Sequence, residues 1–230
     1  MNANLTEIAY ILDRSGSMQP MVEPAIAGFN RFLAEQRDAP GRARLTLVLF
    51  DDQYEVPCRS LPIEEVTELD TTTYVPRNTT ALLDAIGRTI DELGRQLAAT
   101  PEPERPGQVV VAIFTDGLEN ASREYDPRRI SEMIRHQREA YNWQFLFLGA
   151  NQDAIATAAT MGIDRRHAAR VGFSKGGVSS VSHSLSRKLR AMRHYGTTGE
   201  QLADFTAPMQ QIAKEEEQIA EQTEEHKEEP

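Results

Sequence analysis

The sequence contains a single cysteine, Cys58, so no internal disulfide can form, a cysteine-based zinc site is excluded, and a buried structural thiol is expected. No stretch approaches the roughly 18 consecutive apolar residues that a membrane span requires. The first residues, MNANLTE, have neither the basic segment nor the apolar run of a leader. These absences predict a cytoplasmic protein without membrane contact. There is no Walker A sequence, no G-x-S-x-G and no HExxH spacing, so nucleotide hydrolysis, serine-hydrolase chemistry and zincin-type proteolysis all lack their minimal residues. The five histidines are expected to face solvent.

With 230 residues, 40% of them hydrophobic, the chain is long enough for one domain with a sizeable core. The formal net charge of −10 is unevenly spread. From Glu200 to Pro230, ten acidic residues stand against Lys214 and Lys227, a net of −8. Asp164 to Tyr195 holds eight arginines and lysines against Asp164, a net of +7. The basic block lacks the interleaved aromatics of a single-strand nucleic-acid binder. A solvated helix face that attracts the chain's own acidic end, or an acidic partner, is the better reading. The division expected is a domain over 1–195 and an acidic helical or disordered extension over 196–230.

Apolar runs alternate with helical patterns, which points to an α/β fold: a doubly wound, mostly parallel sheet with helices on both faces. Strands are expected at 7–12, 44–50, 54–58, 109–115 and 144–149, with a weaker one at 168–173. The link DDQ between the second and third is too short for a crossover helix, so these two form an antiparallel hairpin, and Pro57 puts the third strand at an edge. Helices are expected at 22–37, 80–98, 127–141, 152–161, 177–194 and 199–225. Thr198 with Gln201 resembles a capping box, and Val178, Val181, Leu185, Leu189 and Met192 give the helix from 177 one apolar stripe, leaving its arginines in water.

In such sheets ligands bind beyond the carboxyl ends of the strands, where strand order reverses. The segment DRSGSM follows the first strand, TDGLEN ends the fourth, and RNTTALLDAIG opens a helix. Three loops thus deliver Asp13, Ser15, Ser17, Thr80 and Asp116 to one place. All five side chains offer oxygen, a set suited to a hard cation such as octahedral Mg²⁺. Ser15 and Ser17, two apart around Gly16, can point the same way from an extended turn. If the neutral hydroxyls bind directly and the aspartates act through water, the cation keeps positive charge facing outward, ready for a carboxylate of another molecule. A hydrolase would need a positioned base or nucleophile and donors for developing charge, and none is apparent.

These loops resemble the von Willebrand factor A domain with its metal-ion-dependent adhesion site, in the stand-alone bacterial or phage-encoded form. The family's Asp-x-Ser-x-Ser appears as Asp13-Arg14-Ser15-Gly16-Ser17, its second-loop Thr as Thr80, and its Asp-Gly as Asp116-Gly117. The register of Thr79-Thr80-Ala81-Leu82 favours Thr80 over Thr79. The resemblance covers about residues 5–195. It implies a non-enzymatic, monomeric protein-binding module that holds Mg²⁺ or Mn²⁺ and captures an Asp or Glu of a protein partner, such as an AAA-type ATPase or another component of a multi-protein bacterial or phage system. The alternatives are a Mg²⁺-dependent phosphohydrolase and a nucleic-acid-binding accessory protein. Glu119 and Asn120 are read first as loop caps, while Asp51, Asp52 and Glu55 are read as turn residues outside the site.

Overall fold

A computed structural model describes residues 1–116, 118–149, 154–170 and 175–228. Six strands, β1 (Asn2–Asp13), β2 (Arg42–Phe50), β3 (Tyr54–Pro62), β4 (Pro106–Thr115), β5 (Gln144–Gly149) and β6 (Ala168–Arg170), form one sheet in the order β3-β2-β1-β4-β5-β6. All pairings are parallel except β2 with β3, the expected hairpin, and β3 lies at the edge as Pro57 requires. Strand order reverses between β1 and β4, which places the loops after these two strands side by side.

Among the described residues seven helices accompany the sheet: α1 (Val22–Arg37), α2 (Leu82–Ala99), α3 (Pro127–Tyr141), α4 (Ala154–Thr160), α5 (Lys175–Thr198), α6 (Ala203–Thr206) and α7 (Met209–Glu228). Alternation along β1 divides the core. Ile8, Tyr10 and Leu12 pack with Phe29, Phe32 and Leu33 of α1 and Leu185 and Leu189 of α5. Ala9 and Ile11 share the opposite face with Leu82, Ile86 and Ile90 of α2 and Ile130 and Ile134 of α3. A strand buried on both faces needs this continuous apolar run. Asp126 caps α3 by accepting from Arg129 N, ahead of Pro127 at the first helical position.

The helix expected at 199–225 is two helices, α6 and α7, because Pro208 cannot donate to a continuing ladder. Thr198 is the last residue of α5 and does not cap α6: its hydroxyl donates to His194 O, and Gly199, at φ +74°, ends the helix in the left-handed region. Residues 171–173 of the weaker strand and 152–153 of the helix expected at 152–161 lie outside the described residues, as do the side chains of Val178 and Val181.

The arginines of α5 do not all stay in water. Arg193 is buried, meets no carboxylate among the described residues, and reaches the end of α1. Its Nη1 donates to Gln36 O (2.6 Å) and Gln36 Oε1 (3.0 Å), its Nη2 to Ala39 O (3.3 Å) and Gly41 O (2.8 Å). A cation at a helix C-terminus is favourable, and carbonyls in the last turn of α1 and just beyond it are the ligands that make its burial tolerable. Lys188 does the same for α6, donating to Phe205 O (2.7 Å) and Ala207 O (2.8 Å), and burial pulls its ammonium down to about 8. Arg187 meets Asp204 (2.8 Å), Glu215 (3.0 Å) and Glu216 (2.9 Å) of the acidic segment, whose Met209, Ile212 and Ala213 are buried. His183, expected in solvent, lies half-buried 3.1 Å from Glu35. His167 is half-buried too, and burial pushes its imidazole down to about 4. Within the basic block, Arg187 and Lys188 are therefore what seats the chain's own acidic end. Arg187→Ala is expected to lower stability by about 1–2 kcal/mol, a network value reduced for partial exposure. Hydrogen exchange should show the loss as faster exchange confined to 203–228.

Candidate metal centre

β1 ends at Asp13 and turns at once. Ser15 N donates to Asp13 Oδ1 (2.7 Å), a local turn that aims the next residues across the end of the sheet. Thr115, the last residue of β4, donates through Oγ1 to Asp13 Oδ2. Tyr74 Oη donates to Asp13 O. Both carboxylate oxygens of Asp13 are thus engaged by the protein. Ser15 Oγ and Ser17 Oγ lie 3.0 Å apart, and Ser17 Oγ donates to Asp116 Oδ1 (2.8 Å). With the Ser17 proton on Asp116, the proton between the serines comes from Ser15. Asp13, Ser15, Ser17 and Asp116 therefore stand in one continuous hydrogen-bonded run.

Thr80 is tied through its backbone to the loop after β4. Its N donates to Asn120 Oδ1 (2.9 Å), and its O accepts from Asn120 N (3.0 Å) and Ala121 N (3.1 Å). The second loop is also sewn to the first: Arg77 N donates to Arg14 O (2.8 Å) and Gly16 N to Asn78 O (3.0 Å). A Cβ on Gly16 would stand 3.2 Å from Asn78 O, so a larger residue would push these loops apart. Gly117 lies outside the described residues.

The donor set fits a hard divalent cation. Asp116 Oδ2 is buried and finds no hydrogen-bond partner among the described residues, a costly state for a carboxylate oxygen unless a cation satisfies it. Two oxygens 3.0 Å apart match adjacent corners of an octahedron with arms of roughly 2.0–2.1 Å, whose edge is about 2.9 Å. Burial pushes the Asp13 carboxyl up to about 6 and raises that of Asp116 too, so the two acids are poorly solvated where they stand. Among the described residues no three His, Cys, Asp or Glu side chains converge. A metal held here would rely on hydroxyls, which would leave it under-neutralised.

Glu119 and Asn120 act as the loop caps they were read to be. Glu119 accepts from Leu83 N at the start of α2 (2.9 Å) and from Ala121 N and Ser122 N in its own loop. Asp51 and Glu55, read as turn residues, do more. Asp51 is fully buried, holds Gln53 N through Oδ1 (2.6 Å), and takes Arg14 Nε (3.3 Å) and Arg77 Nε on Oδ2. Glu55 accepts from Arg14 Nη1 (2.9 Å) and pairs with Arg77 Nη2, contacts that hold its carboxyl down at about 2. The only signal for this network in the sequence was Arg14 inside the motif itself. Its chemical consequence is that Arg14 and Arg77 are committed to carboxylates and are not free to clamp a phosphate.

No family model and no curated protein matches the sequence. Solved structures do match. Proximal thread matrix protein 1 of the mussel byssus aligns with 81% of this chain and 46% of its own, at a TM-score of 0.55 and 16% identity. A second structure of that protein, with a zinc-occupied MIDAS motif, aligns with 80% of this chain and 46% of its own, at 0.55 and 16%. The manganese-loaded Plasmodium vivax TRAP protein aligns with 75% of this chain and 70% of its own, at 0.54 and 17%. The fold is a von Willebrand factor A fold. At these identities the likeness is one of fold, and the chain spans about half the length of the byssus protein. Within that fold, the oxygen-rich cluster lies at the switch between β1 and β4. Among the described residues no helix is long and apolar enough to cross a membrane.

Proposed function

We propose that this protein is a non-enzymatic, metal-dependent protein-binding module in which Asp13, Ser15, Ser17, Thr80 and Asp116 hold Mg²⁺ or Mn²⁺ and the ion takes an Asp or Glu of a partner protein. The observation that carries this reading is the buried Asp116 Oδ2, without a partner among the described residues, at the end of a run of side-chain oxygens. Serine and threonine hydroxyls leave a divalent ion's charge largely uncancelled, and a carboxylate from outside is the ligand that such an ion lacks. The fold neighbours with manganese and with a zinc-occupied MIDAS motif lend support by analogy. The commitment of Arg14 and Arg77 to Asp51 and Glu55 weighs against phosphate chemistry, and the docking of Arg187, Lys188 and Arg193 onto the chain itself weighs against a nucleic-acid face. A protein partner such as an AAA-type ATPase fits this reading.

Calorimetric titration of Mg²⁺ and Mn²⁺ tests it. Ser15→Ala keeps the backbone donor to Asp13 and removes one oxygen, so metal affinity is expected to fall at least about tenfold, and the rise in melting temperature at saturating metal should shrink accordingly. Absence of binding to the wild type, or equal binding to both proteins, would end the proposal.

A further inference from the structure

The rim of the site selects what can approach it. Val75, 51% exposed, lies between Tyr74, which bonds Asp13 O, and Arg77, whose N bonds Arg14 O. Leu118, 62% exposed, follows Asp116 by two residues on the third loop. Both present large apolar side chains to water on the loops that carry or flank the cluster. The four segments at this end, 13–17, 51–55, 70–80 and 116–124, contain eight acidic residues and three arginines. Two of those arginines, Arg14 and Arg77, are tied to Asp51 and Glu55. Asp52 and Asp70 are exposed. The Asn78 amide bonded to Asp52 and the Thr72 hydroxyl bonded to Asp70 hold both carboxyls below their usual range, so both stay ionised. A divalent ion would offset two of these negative charges, and the face around it remains negative.

We infer that the metal-bearing face of this chain accepts one acidic residue flanked by apolar and basic side chains, and rejects polyacidic segments, its own C-terminal one included. This rests on the reading of the site as a metal-dependent binding module. Once the ion has taken one carboxylate, a second meets a negative field, whereas a lysine beside it is attracted. An apolar neighbour covers Leu118 and Val75 and excludes water around the ion, as the shell of a binding hot spot does. The acidic helix α7 already has its counter-charge on α5, in Arg187.

The test uses the full chain and three fluorescently labelled nine-residue peptides, each with one central aspartate flanked by Leu and Lys, by Ser, or by Glu. Metal binding is measured separately by calorimetry on the same protein. In saturating Mn²⁺, the Leu/Lys peptide is expected to bind at least about tenfold more tightly than the Ser peptide, and the Glu peptide most weakly. Raising salt from about 50 to 300 mM should weaken the Leu/Lys peptide and leave the Ser peptide nearly unchanged. In metal-loaded Leu118→Ser the advantage of the Leu/Lys peptide should fall about fivefold. Equal affinity for all three peptides, preference for Glu flanks, or no peptide binding to a metal-loaded protein overturns this inference and leaves the metal centre standing. A protein that binds no metal overturns both.

Discussion

In an Asp84→Ala variant the folded state is expected to lose about 3–5 kcal/mol, with metal affinity falling alongside. Asp84, nearly buried in the first turn of α2, accepts from Arg123 N (2.9 Å) and, through its other oxygen, from Glu124 N (2.9 Å) and Tyr125 N (3.0 Å). Its own N donates to Ser122 Oγ (3.1 Å). One carboxylate thus ties residues 123–125 back onto α2. A hydrogen bond to a charged group contributes about 1.5–3 kcal/mol, and three that share one acceptor group add less than their sum, which gives the range stated. Alanine would strand three backbone donors and loosen the loop in which Asn120 fixes Thr80. Gly87, one turn on, belongs to the same arrangement: a Cβ there would stand 2.4 Å from the Tyr125 ring. Urea unfolding followed at Trp143, the single and buried tryptophan, measures the loss. Asp84→Asn, which keeps one acceptor oxygen, should fall between the two. A loss below about 1 kcal/mol in the alanine variant would mean that the third loop is held by other contacts.

Much of this architecture was legible because it follows from short-range pattern. Apolar runs identified β1, β4 and β5 as strands, the three-residue link DDQ dictated the β2–β3 hairpin, and Pro57 marked the edge. Motifs at strand ends pointed to the loops that carry Asp13, Ser15, Ser17 and Asp116. The features that stayed hidden depend on pairs far apart in sequence. Tyr74 and Thr115 hold Asp13 from 61 and 102 positions away, and no local pattern marks either as its partner. Arg193 read as one more solvated cation on a polar helix face. Its role depends on where α1 ends, 157 positions earlier, and on carbonyls that sequence periodicity does not register. The acidic segment had too few apolar residues after Lys214 to suggest packing. The residues that dock it, Met209, Ile212 and Ala213, come before that point, and Arg187 supplies the counter-charge.

Glu7, expected as the first residue of a strand, leads to a pH-dependent stability. β1 in fact begins at Asn2 and runs between β2 and β4, with Glu7 opposite Arg44 and Val109. There it is buried, accepting from Ser60 Oγ (2.8 Å) and Thr46 Oγ1 (3.4 Å). Burial outweighs these bonds and the Arg44 charge and pushes its carboxyl from 4.5 up to about 7. The folded protein then holds a proton that the unfolded chain releases. Stability from this group is complete below pH 4.5, declines as pH rises from there to about 7, and is lost above. At 1.36 kcal/mol for each pH unit the decline amounts to about 3 kcal/mol. Glu7→Gln abolishes the titration and keeps an oxygen for Ser60. The variant is expected to be more stable than the wild type by about 2–3 kcal/mol at pH 8, with the advantage shrinking to near zero at about pH 4.5. Asp13, also raised by burial, is common to both proteins and cancels in the difference. Parallel urea titrations of the two proteins at half-unit pH intervals, in chelator, give the difference directly. A constant offset between them would show that Glu7 titrates in the fold as it does in the unfolded chain, with Arg44 and the two hydroxyls solvating it well enough to cancel the cost of burial.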